Sequence, residues 1–207
     1  MDVMEIFTKG GAVMYLLLLC SVAVIAIGIE RLVFYHYAGN NGNAFLENLS
    51  VKLRVQTLNQ VADFCHAEKS LIGEVAFSGV LAATRNENIE VALDMAYSEA
   101  AMKLRARLNY LSMIVTLSPL LGLLGTISGM IEAFNIFNLQ AGQPLAITGG
   151  IGEALIATAT GLCVAILALI VHTYFAQRLD EMLAKLEKAA SIVLGALSGK
   201  GENNATA

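Results

Sequence analysis

The sequence predicts an all-α membrane protein. Three helices span the bilayer, long helices extend into a cytoplasmic bundle, and copies assemble as a homo-oligomeric ring. Three observations predict it. The chain is 57% hydrophobic and only 14% charged over 207 residues, where soluble domains carry about 25% charged residues. Three apolar runs are long enough to span, since a bilayer core needs roughly 20 residues of helix. Two of those runs carry faces of small residues that one copy with three spans does not cover on all sides, which points to neighbouring subunits.

The first run is AVMYLLLLCSVAVIAIGI, residues 12–29, continuing past Glu30 and Arg31 into LVFYHY. Its N-terminal flank holds Asp2 and Glu5 against Lys9. A secretory signal starts with positive charge, so this run is expected to stay as a span. The second run covers about 110–137 and the third about 145–171.

Lys and Arg set the orientation. Residues 38–108 hold seven: Lys52, Arg54, Lys69, Arg85, Lys103, Arg105 and Arg107. The segment from 177 adds Arg178, Lys185, Lys188 and Lys200, and the 138–144 loop has none. Positive residues stay inside. The expected domains are therefore 1–37, an external N-terminus and first span; 38–108, a cytoplasmic helical domain; 109–176, the second and third spans with a short external loop; and 177–207, a cytoplasmic helix with a disordered tail.

The cytoplasmic segment has no proline, and GNNGN at 39–43 breaks the chain. After the break, Phe45, Leu49 and Leu53, then Leu58, Val61 and Ala62, recur at helical spacing. Residues 87–137 read as one helix of roughly 50 residues and 75 Å, amphipathic at first and then apolar. The third run likewise continues into QRLDEMLAKLEKAASIVLGAL, and SGKGENNATA at the end is expected to be disordered.

Several chemistries are excluded. A net charge of −4 without a basic stripe argues against nucleic acid. Cys20, Cys65 and Cys163 lack metal spacing and read as buried small hydrophobes. His36, His66 and His172 are scattered, and neither a metal nor a cofactor is expected. No nucleophile–base set suggests an enzyme.

The segment SPLLGLLGTISGMIEAFN, residues 118–135, carries the small residues. Ser118, Gly122, Gly125, Gly129 and Ala133 fall along one helical face; Ala154, Ala157, Gly161, Ala165 and Ala168 do so on the third run. Lipid gives helices no hydrophobic drive to associate, so small residues and hydrogen bonds do the work. Tight packing within one bundle accounts for part of these faces, and Gly122, Gly125, Gly129, Ala157 and Gly161 are also expected to pack subunits together. Pro119 is expected to bend the second span, with Ser118 or Thr116 taking up the freed carbonyl.

Glu153 is the one ionisable residue within 145–171. A carboxylate at membrane depth is costly and functional by default; the alternative is a hydrated position near the outer interface. Glu132 lies nearer the end of its span and reads as interfacial. Thr126 and Thr158 border the small faces. At 100° per residue Thr158 lies about 140° from Glu153, and Thr160 only about 20° away.

The pair SPLLGLLGTISGMIEAF and IGEALIATATGLCVAILAL resembles the MotA/TolQ/ExbB family of proton-channel subunits. The three spans, the large segment between the first two, and Glu30-Arg31 after the first fit the same family, and the length is similar to ExbB and TolQ. The chain departs from the family pattern at Leu167, where proline in AIPA is usual, and at His172-Thr173, where Tyr-Asn is common. The resemblance implies a pentamer in the bacterial inner membrane around an ExbD- or TolR-like single-span partner that brings the titrating Asp. It also implies a TonB- or TolA-like protein as recipient of the motion. It marks Glu153, Thr126, Thr158 and Thr160 as the polar proton path. An ExbB-like role in energising TonB-dependent transport is favoured over a TolQ-like role in envelope integrity and cell division. A structural scaffold without ion flux is the reading from another class, and Glu153 and the threonines weigh against it.

Overall fold

The computed structural model describes residues 11–39, 42–139 and 144–205. They form seven helices: α1 (Gly11–Gly39), α2 (Gly42–Val55), α3 (Leu58–Ala67), α4 (Leu71–Thr84), α5 (Ile89–Arg105), α6 (Leu108–Leu139) and α7 (Pro144–Ala205). Three helical stretches are long and apolar enough to cross a membrane. The chain divides into two compact units. One takes α1 as far as Arg31 with Arg107–Phe175; the other takes Leu32–Ala106 and α7 from Ala176 onward.

In the first unit α1 packs by one face. Met14, Leu17, Cys20 and Val24 recur every three or four residues and are buried together with Val13, while Leu16, Leu19, Val22 and Ile25 are exposed. An apolar helix with an exposed apolar face is what a lipid-facing span requires.

The second unit is a helical bundle. The bundle core is built from Leu49 and Leu53 on α2, Val61 on α3, Ile72, Val75 and Val80 on α4, and Leu93 and Leu104 on α5, all at most 4% exposed. Met182, Leu186, Ala189, Val193 and Leu197 on α7 are buried at spacings of three or four residues, the seam pattern of helix against helix. The continuation of the third span into this region is as the sequence predicts. α7 runs to Ala205, through residues for which the sequence suggested disorder.

Local chemistry places the helix ends. The Ser70 hydroxyl accepts from the Gly73 amide at 3.3 Å and Asn88 Oδ1 accepts from the Val91 amide at 3.2 Å, each starting a helix. Asn86 takes φ 55°, and the Glu87 amide returns to the Ala82 carbonyl at 2.9 Å, a glycine-free version of the usual left-handed stop. Helix α4 is absent from the sequence reading. It is an apolar 14-residue helix with eight buried residues at the centre of the bundle, too short to span.

The continuous helix expected over 87–137 is broken. Ala106 is extended (φ −51°, ψ 139°) and Arg107 is left-handed (φ 66°). Left-handed backbone costs a non-glycine residue about 1–2 kcal/mol. The turn sends the Arg107 guanidinium onto Glu30 Oε2 at 2.9 Å. Arg31 donates to the same carboxylate through Nε at 2.9 Å and through its terminal nitrogen at 3.0 Å. Arg31 is 4% exposed, so a charge-assisted fork satisfies a nearly buried cation. In the second unit, Tyr35 donates to the Leu104 carbonyl at 2.9 Å and joins the end of α1 to α5.

Candidate transmembrane polar site

The small residues of α6 and α7 face each other within one chain. Ala133 opposes Gly150, Gly129 opposes Ala154, Gly125 opposes Ala157, and Gly122 and Ser118 oppose Gly161. The order is that of an antiparallel ladder. A Cβ added at Gly161 would lie 2.6 Å from the Ser118 carbonyl oxygen and 3.0 Å from Gly122 Cα. The backbones are therefore as close as glycine permits. Val13 of α1 closes over Gly125, with 3.6 Å between its methyl carbon and an added Cβ.

The sequence reading gave Gly122, Gly125, Gly129, Ala157 and Gly161 to packing between subunits. Within the single chain, all five lie in the intrachain ladder. The physical reason is that the two small faces cover one another and leave the large side chains outside. Leu120, Leu123, Leu124, Ile127 and Ile131 on α6 are exposed, as are Leu155, Leu162, Ile166 and Leu169 on α7. Gly150 continues the spacing of Ala154, Ala157 and Gly161 by one turn. It belongs to the ladder and was legible from that period.

The threonines sit at the margins of the ladder, all half-buried. Thr158 donates across to the Gly122 carbonyl of α6 at 3.0 Å. Thr126 donates to Leu123 in its own helix at 2.6 Å, and Thr160 to Ile156 at 2.8 Å. All three hydroxyl protons thus go to carbonyls, the usual way to satisfy a hydroxyl in an apolar helix. Thr158 differs in tying two helices together.

Pro119 lies inside α6 and removes the hydrogen bond to residue 115. The expected repair by a neighbouring hydroxyl is not found. Thr116 donates to Met113 at 2.9 Å, and Ser118 Oγ is buried without a hydrogen-bond partner. Glu132 is exposed. Glu153 falls on α7, one residue before Ala154 of the ladder, and its side chain lies outside the described residues.

The chain is thus a multi-pass helical membrane protein in which a glycine-packed pair of spans carries threonine hydroxyls along its margins. It belongs to the MotA/TolQ/ExbB proton channel family, whose model matches residues 67–188. That match runs from the bundle through both paired spans. The family is one of channel and transport subunits, not of enzymes. Among similar proteins is a putative biopolymer transport protein, ExbB-like 1, of Synechocystis sp., 33% identical over 171 residues, covering 80% of this chain and 67% of that one. The biopolymer transport protein ExbB of Salmonella typhimurium is 37% identical over 100 residues, 48% of this chain and 41% of its own. The Tol-Pal system protein TolQ of Pseudomonas aeruginosa is 35% identical over 100 residues, 48% of this chain and 43% of its own.

Proposed function

We propose that the chain is an ExbB-like subunit of a proton-driven motor. Copies form a ring, a pentamer by family resemblance, around an ExbD- or TolR-like single-span partner in the bacterial inner membrane. Proton passage at the contact between ring and partner does work on a TonB-like protein, and so energises transport across the outer membrane. The observation that carries this reading is the family match over 67–188, which includes the paired spans and their threonines. A TolQ-like role, working on a TolA-like protein, is the second reading. The TolQ relative of Pseudomonas aeruginosa, matched over as many residues as the Salmonella ExbB, favours it specifically.

The topology has the N-terminus outside, the 38–108 and C-terminal segments inside, and the 138–144 loop outside. Cysteines placed at Asn43 and at Gln140 label from opposite sides of the membrane; labelling from one side would overturn the arrangement. Glu153, Thr126, Thr158 and Thr160 are assigned to the proton path, Glu153 as this chain's carboxylate beside the partner's titrating Asp.

The deciding experiment is proton uptake into liposomes holding the ring with its partner, beside growth that depends on energised uptake. Glu153→Gln keeps the ring and stops uptake, because it removes a titratable group and preserves shape. Thr126→Val and Thr158→Val delete hydroxyls at nearly constant shape, and at least one of them lowers uptake. An assembled triple variant that pumps like the parent would refute the site assignment. A parent complex that moves no protons would refute the function.

A further inference from the structure

The helical bundle of the second unit leaves two apolar patches on its aqueous surface, on different helices. On α2, Val51 and Val55 stand one turn apart and are 60% and 80% exposed. On α5, Val91, Met95 and Met102 repeat at four and seven residues, which aligns them along one face, and each is more than half exposed. Beside the α5 stripe runs an open groove of about 670 Å³ between α4 and α5, floored by Ala92, Ala96 and Ala100. The two helices are tied there by Ser78, which donates to the Ala92 carbonyl at 3.2 Å.

The charges around the two patches are opposite in sign. Residues 87–99 carry Glu87, Glu90, Asp94 and Glu99 and no Lys or Arg. Lys103 bridges Glu99 at 3.0 Å and Glu74 at 3.4 Å, which offsets the acid at the Arg105 end of α5 and leaves it at the Asn88 end. The last turn of α2 carries Lys52 and Arg54 beside the two valines. Lys52 is held 4.6 Å over the Phe64 ring, so the basic end of α2 is pre-ordered.

We infer that α2 of one copy docks, through Val51, Val55 and Arg54, on the α5 stripe and groove of the next copy. The inference rests on the ring reading and supplies a contact for it outside the spans, where the small-residue faces are already used within each chain. Two unlike patches make a head-to-tail contact, which generates rings when the rotation closes. Two like patches would have given a two-fold dimer.

The test uses two full-length copies with different tags, Val55→Cys in one and Met95→Cys in the other, co-expressed in membranes and oxidised. Each variant expressed alone accounts for the native thiols. The expected result is a disulfide dimer carrying both tags, formed only when the two variants are together. Arg54→Glu in the first copy lowers its yield roughly fivefold, and Asp94→Arg in the second restores it, as complementary charges at an interface rim behave. Native mass spectrometry of the same sample separates the failures. An intact ring without the mixed dimer would overturn this contact and leave the ring reading standing. Monomers alone would sink both. A Met95→Cys adduct with a different protein would give the stripe to that partner and overturn the inference. A yield indifferent to both charge changes would refute the charge match.

Discussion

Gly161→Ala tests the intrachain ladder most directly. The added carbon would sit 2.6 Å from the Ser118 carbonyl oxygen, against about 3.4 Å for ordinary contact. The shortfall is about 0.8 Å, and the obstructing atoms are backbone, so no rotamer change relieves it. If α6 and α7 part by that amount, the Thr158–Gly122 bond stretches from 3.0 Å to beyond hydrogen-bond range. Overpacking costs about 1–3 kcal/mol, and the lost bond about 0.5–1.5 kcal/mol. Better helix propensity returns about 1 kcal/mol. The net expectation is a loss of about 0.5–3.5 kcal/mol. Gly152→Ala is the control, because an added carbon there meets nothing within 4 Å; it should be neutral or slightly stabilising. The assay is equilibrium unfolding in mixed micelles with increasing SDS, followed by far-UV circular dichroism. The loss should appear in dispersed single copies as well as in assemblies. A Gly161→Ala protein as stable as the Gly152→Ala control would refute the ladder. A loss confined to assembled protein would return these glycines to the subunit interface.

Two further outcomes concern the second unit. Gly195 sits on an exposed turn of α7 with nothing within 4 Å of an added Cβ, so Gly195→Ala should raise stability by about 0.5–1 kcal/mol, read as a higher midpoint in the same titration. Cys65 is 1% exposed, and burial pushes its thiol from 9.0 up to about 12. The raised value favours the protonated thiol in the folded state, so its contribution is complete below pH 9 and is lost as pH rises towards 12. Iodoacetamide should modify it only after unfolding, and fast modification of native protein at pH 8 would show that the bundle opens locally.

The three spans were legible because length and composition suffice for them, and the run of α7 past the membrane because a three-and-four apolar period continues without a break. The turn at Ala106–Arg107 was not. Ala and Arg are both strong helix formers, no glycine or proline marks the site, and the Glu30 carboxylate that receives Arg107 is 77 residues away in sequence. α4 was missed for a different reason: it is apolar nearly all round, so it has no face for a periodicity to show. The small faces were read correctly as surfaces of close approach. Sequence spacing says that helices touch there without saying whether they belong to one chain, and within the chain the two faces meet each other. Of the polar site, the threonines were found at the ladder's margins, whereas Ser118 and Thr116 were expected to repair the proline and do not.

The hydrogen bonds of Thr126, Thr158 and Thr160 carry a directional consequence. A hydroxyl whose one proton is committed to a carbonyl offers neighbouring water only lone pairs. On the proposed proton path, a water bonded to one of these hydroxyls would have to point a hydrogen toward it. To hand a proton onward, a hydroxyl must first let go of its carbonyl. For Thr126 and Thr160 that is a local rotation within one helix. For Thr158 it would unfasten the link between α7 and α6, so a relay through it, on the proposed proton path, would loosen the pair.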